Sequence, residues 1–150
     1  MKNQFFKGHG LGNDYIALDP ANLTFKLTPR IIRTICDRNW GIGSDGILAF
    51  QTSKKADFGL RIYNPDGSEA EKSGNGLRIF GCYLYATRKT KKRSFSVQTK
   101  GGLVQIKLEL NGNGYVDGAT VDMGRASFQP NDLPCSLRVP ELIQQPVKAA

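Results

Sequence analysis

Residues Leu77-Arg78-Ile79-Phe80-Gly81-Cys82-Tyr83-Leu84-Tyr85-Ala86 are apolar around most of a helical circumference. A helix with one apolar stripe lies on a surface, whereas one that is apolar on most sides has to be enclosed. This segment is therefore the centre of the fold, and the rest of the chain must cover it. The covering segments read as strands. Ser94–Thr99 and Leu103–Leu110 alternate apolar and polar residues across Lys100-Gly101-Gly102, a hairpin pattern. Asn111-Gly112-Asn113-Gly114 provides another turn before a strand around Tyr115 to Met123. Upstream, Gln4–Lys7, Tyr15–Asp19, Ile47–Phe50 and Phe58–Ile62 carry strand patterns. Thr28 is placed to cap a helix and Pro29 to start it. A helix from Thr28 to about Asn39 follows, with Ile31, Ile32, Ile35 and Cys36 facing inward. The repeated local returns predict an α/β lobe, a largely antiparallel sheet wrapped around a central helix, rather than regular βαβ winding.

The 150 residues are enough for one domain with its own core. Their formal charge of +8 favours anionic partners, and the densest run is Arg88-Lys89-Thr90-Lys91-Lys92-Arg93. This run follows the central helix and precedes a strand, so it reads as a solvated connection whose first charges suit the helix C-terminus. No nucleic-acid motif accompanies it, which disfavours nucleic acid as a partner. No apolar run approaches the roughly 20 residues needed to cross a bilayer, and no apolar stretch follows the N-terminal Met-Lys-Asn-Gln-Phe-Phe. The expectation is a soluble cytoplasmic protein without a membrane partner. Cys36, Cys82 and Cys135 are widely separated, form no CxxC pair and predict no zinc site. Cys36 and Cys82 fit buried packing positions in helical patterns. No metal, flavin or pyridoxal-phosphate signature is present, and no cofactor is expected.

Ser73-Gly74-Asn75-Gly76 stands just before the central helix, where unpaired backbone donors can receive an anion such as an amino-acid carboxylate. Gly74 and Gly76 allow close approach, and Asn75 offers both a donor and an acceptor. The plainer alternative is a helix-entry turn capped by serine or asparagine and holding no ligand. Neither GxxxxGK[ST] nor a GxGxxG within a βαβ unit occurs, so nucleotide binding is disfavoured.

Four ordered blocks carry a resemblance: Gly8-His9-Gly10-Leu11-Gly12-Asn13-Asp14, Asp37 through Gly46, Asn64 through Ala70, and Gly74-Asn75-Gly76-Leu77-Arg78. In order and spacing they resemble the N-terminal portion of diaminopimelate epimerase, over about Lys2 to Phe128. The resemblance implies two similar α/β lobes across a cleft, which interconvert LL- and meso-diaminopimelate without pyridoxal phosphate, in the route to lysine. One cysteine from each lobe acts alternately as base and acid. It further implies that Asn13 and Asn64 bind substrate and that Gly74 and Asn75 hold the carboxylate at the reacting centre. Residues 1–123 would form the first lobe, and 124–150 a connection and the start of a second, with Leu137 through Pro140 entering another strand. The implied partners are a small amino acid, diaminopimelate first, the missing second lobe, and a second copy in a homodimer.

The pattern departs at one position. Where the resemblance implies the catalytic cysteine, this chain has Ser73, and Cys135 is too early to be the cysteine of a second lobe. A thiol with a reference pKa of about 8.5 can be tuned into a base, whereas a serine hydroxyl is a far poorer proton acceptor. Three readings stay open: a replacement that impairs a diaminopimelate epimerase, a divergent racemase or isomerase, and a noncatalytic carboxylate-binding relative. His9, alone in a glycine turn, suits backbone organisation better than replacement of a missing base.

Overall fold

A computed structural model describes residues 2–133 and 135–146. Its first strands, β1 (Phe5–Gly10) and β2 (Asn13–Leu18), form an antiparallel pair around a turn in which Leu11 and Gly12 both take positive φ. Helix α1 (Pro29–Cys36) then leads to β3 (Ile47–Gln51), which turns back into β4 (Phe58–Tyr63). The two-residue β5 (Glu69–Ala70) pairs with β4 and precedes α2 (Gly74–Ala86). An antiparallel meander of β6 (Ser94–Thr99), β7 (Gly102–Leu110) and β8 (Val116–Asp122) completes the lobe. One sheet contains all of them in the order β1-β2-β3-β4-β6-β7-β8, with β5 beside β4.

The sheet curls around α2, as the apolar circumference of that helix requires. Both terminal strands of the sheet, β1 and β8, pack against α2, together with β2 and β7. Leu77, Phe80 and Leu84 are completely buried at the centre, among Leu48, Val97, Val104 and Ile106 from the surrounding strands. A second cluster lies on the other face of the sheet, where Ile32 and Cys36 of α1 meet Ile16, Leu18, Ile47, Ala49 and Tyr63. Strand alternation sorts the residues: in β2, Tyr15 and Ala17 face α2, whereas Ile16 and Leu18 face α1. Central strands covered on both faces explain why β2 and β3 are apolar at successive positions.

Several expectations are refined. The sheet is largely antiparallel, as expected, but includes two parallel pairs, β2 with β3 and β4 with β6. Each parallel pair is joined through a helix, α1 or α2, which returns the chain to the end of the sheet where it began. Helix α1 stops at Cys36 rather than near Asn39: the Asp37 carboxylate accepts the N–H groups of Asn39 and Trp40, at 2.7 and 2.8 Å, and draws the backbone into a turn. Helix α2 begins at Gly74, so the glycines form its first turn instead of a preceding loop. Leu137 through Pro140 form no strand. Pro134 and residues 147–150, which fall in the expected connection, lie outside the described residues.

The basic connection between α2 and β6 is tied to the lobe by ion pairs, Lys89 Nζ to Asp19 Oδ2 and Lys92 Nζ to Asp57 Oδ1, each 2.6 Å. Among the described residues no helix is long and apolar enough to cross a membrane.

Candidate functional site

Register gathers the candidate site segments at one end of the sheet. Gly10 closes β1 opposite Asn13, which opens β2. The parallel strand β3 starts just after Gly46, and the antiparallel β4 ends at Tyr63, immediately before Asn64. The N-terminus of α2 opens at this same end: a side chain on Gly10 would lie 3.2 Å from Asn75 Oδ1, and one on Gly46 would collide with the Tyr63 carbonyl and the Tyr15 ring. Glycine at position 10 lets the end of β1 approach the helix, and glycine at position 46 lets the entry to β3 approach Tyr15 and Tyr63.

A chain of hydrogen bonds orders the side chains. Asn13 Nδ2 donates to Asp45 Oδ2 at 3.0 Å, and Asn75 Nδ2 donates to Asn13 Oδ1 at 3.3 Å. Arg78 donates in turn to Asn75 Oδ1. A carboxylate only accepts and a guanidinium only donates, so Asp45 and Arg78 fix which way both amides point. Behind Asn13 lies an ion cluster. Arg38 Nη2 reaches Asp14 Oδ1 at 2.7 Å and Asp45 Oδ1 at 2.8 Å, while Lys7 Nζ lies 3.2 Å from Asp14 Oδ2.

The hydrogen bond from Arg38, with help from Lys7, holds Asp14 down to about 2, against a smaller opposing effect of burial. A depressed carboxylate contributes stability that is complete above its unfolded pKa, near 3.9, and lost as pH falls through the folded value. Acid unfolding should therefore lose stability between about pH 4 and pH 2. Asp14→Asn should flatten that part of the profile by about 1–2 kcal/mol after allowance for the exposed Arg38 partner. Urea midpoints recorded from pH 2 to pH 6, about the range of interest, test this, and an unchanged slope in the variant would contradict it.

Ser73 caps α2. Its Oγ accepts the N–H of Gly76 at 3.0 Å and lies 3.2 Å from Tyr15 Oη. Among the described residues no acceptor meets the N–H groups of Gly74 and Asn75, the first two of the helix. Ser73, Gly74 and Asn75 are half-buried, so these donors sit at the protein boundary rather than under solid packing. The arrangement can receive a small carboxylate on two backbone donors at a helix N-terminus.

The structure thus brings together Asn13, Ser73, Gly74 and Asn75. Asn64 reaches the same end of the sheet, but its Nδ2 donates to Ser68 Oγ at 3.0 Å and its backbone closes the 64–67 turn, so it makes no bond to the other site side chains. His9 is exposed on β1. Burial pushes the thiols of Cys36 and Cys82 up, away from thiolate chemistry. Cys82 is moreover nine residues beyond Ser73 along the chain, roughly 13 Å at 1.5 Å per helical residue. Sequence reasoning did not single out Asp45, Arg78 or Tyr15. The alternation in β2 was the available signal for Tyr15, since it puts that ring on the α2 face.

Hydroxyproline epimerase from Agrobacterium vitis superposes with a TM-score of 0.62 at 15% identity, over 81% of this chain and 42% of that one, a likeness of fold. The family model for diaminopimelate epimerase matches residues 5–129, and the chain belongs to that family. It is 48% identical over 145 residues to diaminopimelate epimerase 2 of Nostoc sp., covering 96% of this chain and 50% of that protein. Against diaminopimelate epimerase of Leptospira biflexa the identity is 37% over 134 residues, covering 89% of this chain and 48% of the relative. The chain spans about half the length of the curated relatives it matches.

Proposed function

We propose that this chain is the N-terminal lobe, residues 1–123 with a connection over 124–150, of a diaminopimelate epimerase that interconverts LL and meso forms by two-base transfer of the α-proton. The family membership and the activity for which its relatives are named support the substrate class. The observation that carries the reading is local: the free amides of Gly74 and Asn75 stand beside Asn13, at a helix N-terminus suited to the α-carboxylate. Those donors would also stabilise the charge that develops when the α-proton leaves. Asn64 belongs to the same sheet end and contributes once its bond to Ser68 is exchanged for one to substrate.

Ser73 stands where one of the two proton-transferring groups is required, and it is poorly suited to the task. Its Oγ is engaged by Gly76 N–H and by the Tyr15 hydroxyl. That engagement favours a second reading for the form in hand, a lobe that binds an amino-acid carboxylate without exchanging its α-proton. The opposing acid/base group belongs to a second lobe, and a homodimer of such two-lobe chains is compatible with either reading.

Titrating meso-diaminopimelate into this chain in deuterated buffer tests both parts. Amide shifts confined to Gly74, Asn75 and Asn13, with no loss of the α-proton signal, are expected. Shifts centred on Arg88 to Arg93 instead would refute the site, and measurable α-proton loss would refute the impairment.

A further inference from the structure

Tyr15 is 7% exposed and belongs to the core cluster around α2, so its ring has the environment of an ordinary buried aromatic. Its hydroxyl is less ordinary. A buried phenol needs a polar partner, and within the lobe that partner is Ser73 Oγ, 3.2 Å away across 58 residues of sequence. The ring reaches this point because position 46 is glycine: a side chain there would lie 2.7 Å from Tyr15 Cε1 and 2.5 Å from the Tyr63 carbonyl.

We infer that Tyr15 is the positioning residue of this site, whose hydroxyl fixes the direction and the hydrogen-bonded state of the side chain at position 73. Ser73 Oγ accepts one hydrogen bond from Gly76 N–H, and Tyr15 Oη fills a second direction. Two fixed partners hold the Ser73 hydroxyl at the N-terminus of α2. The inference deepens the proposed function, since the importance of position 73 rests on that reading, but the contact itself does not depend on it.

The consequence is sharpest for an ionisable group. Hydrogen bonds to the charged form of an acid favour that form. A thiol introduced by Ser73→Cys would meet the Gly76 N–H and the Tyr15 hydroxyl, both able to donate to a thiolate. Other charges near the turn act in common on any variant: Lys72 precedes it, Arg78 is linked through Asn75, and Asp45 through Asn13. Removing the phenol oxygen alone therefore isolates its contribution.

The test compares Ser73→Cys with Tyr15→Phe/Ser73→Cys in the full chain. Alkylation by iodoacetamide is followed against pH on the peptide carrying position 73, with the Cys82 and Cys135 peptides as internal references. The midpoint for Ser73→Cys is expected below the reference of about 8.5 and that of the double variant about one unit higher, roughly a tenfold smaller thiolate fraction on the acid side. Coincident midpoints overturn the inference. A second measurement uses no new thiol. Tyr15→Phe should lower Tm in the Ser73 chain and leave it nearly unchanged in the Ser73→Ala chain, whereas equal shifts in the two backgrounds would show that the hydroxyls are not coupled. Neither measurement uses substrate, so loss of the epimerase reading would leave both outcomes intact.

Discussion

Ser73→Cys, made in a two-lobe chain that carries an opposing cysteine, is expected to raise α-proton exchange of diaminopimelate by about 10²–10⁴-fold, the usual contribution of a positioned general acid or base. Serine and cysteine differ in what each side chain can do with a proton. Epimerisation requires removal of the α-proton on one face and delivery on the other. A serine hydroxyl keeps nearly the size of a thiol and keeps its hydrogen bond to Gly76 N–H at 3.0 Å, so the lobe retains its helix cap and the amides proposed to hold the carboxylate. What it lacks is a conjugate base accessible near neutral pH. A thiolate at the same place is favoured by the positive end of α2. Binding should therefore change little while exchange rises, which separates this outcome from a general repair of folding. Loss of the α-proton signal in deuterium oxide reports exchange, and a parallel titration reports binding. Unchanged exchange with binding and folding retained would remove position 73 from the chemistry and leave the carboxylate-binding reading. An isolated lobe is a poor control, because inversion needs both faces of the site.

The parts of this lobe legible in sequence were those governed by local pattern. Leu77 through Ala86 declared a buried helix because their apolar residues occupy most sides of it, and Leu77, Phe80 and Leu84 are indeed fully buried. Thr28 and Pro29 marked a helix start because capping is a matter of adjacent residues, and Thr28 Oγ1 does accept the N–H of Ile31. The hairpin of β6 and β7 was legible for the same reason. Less legible were features set by distant partners. Nothing within β2 or β3 announces that they pair in parallel; that follows from the return through α1. Strand β5 is two residues long and exists because β4 offers it an edge. At the site, Ser73, Gly74 and Asn75 stood out as polar or glycine residues in a turn-rich motif at the helix entry, whereas Asn13 was reached only through the family resemblance. Asp45 stood in a turn-rich motif too, yet its bond to Asn13 spans 32 positions and becomes visible only once register is known. Tyr15 was hidden by its own suitability for a strand, since a buried aromatic needs no further explanation until the direction of its hydroxyl is seen.

Phe80→Ala should be the most damaging single truncation in the lobe, at about 3–5 kcal/mol, the range for removing a fully buried aromatic side chain. Phe80 is 0% exposed and its ring lies 5.9 Å from that of Tyr83. The size of the cost depends on whether neighbours can close the space. Here α2 is held between both terminal strands of the sheet, while Gly81 already brings the helix within a methyl's width of Ile106 and Leu108. Further approach is blocked on that side, so the cavity should persist rather than collapse. Against a typical domain stability of about 5–15 kcal/mol, such a loss removes about a fifth or more of the margin. Because Ser73 caps α2 and Gly74 and Asn75 open its first turn, any shift of the helix also moves the amides proposed to hold the carboxylate relative to Asn13, and ligand affinity should fall with stability. Phe128→Ala supplies the comparison, since Phe128 is 49% exposed and its truncation should cost about 0.5 kcal/mol or less. Urea unfolding of the two variants gives both values on one scale. Equal losses would mean that α2 is not enclosed, and with it would go the rigid helix end on which the site depends.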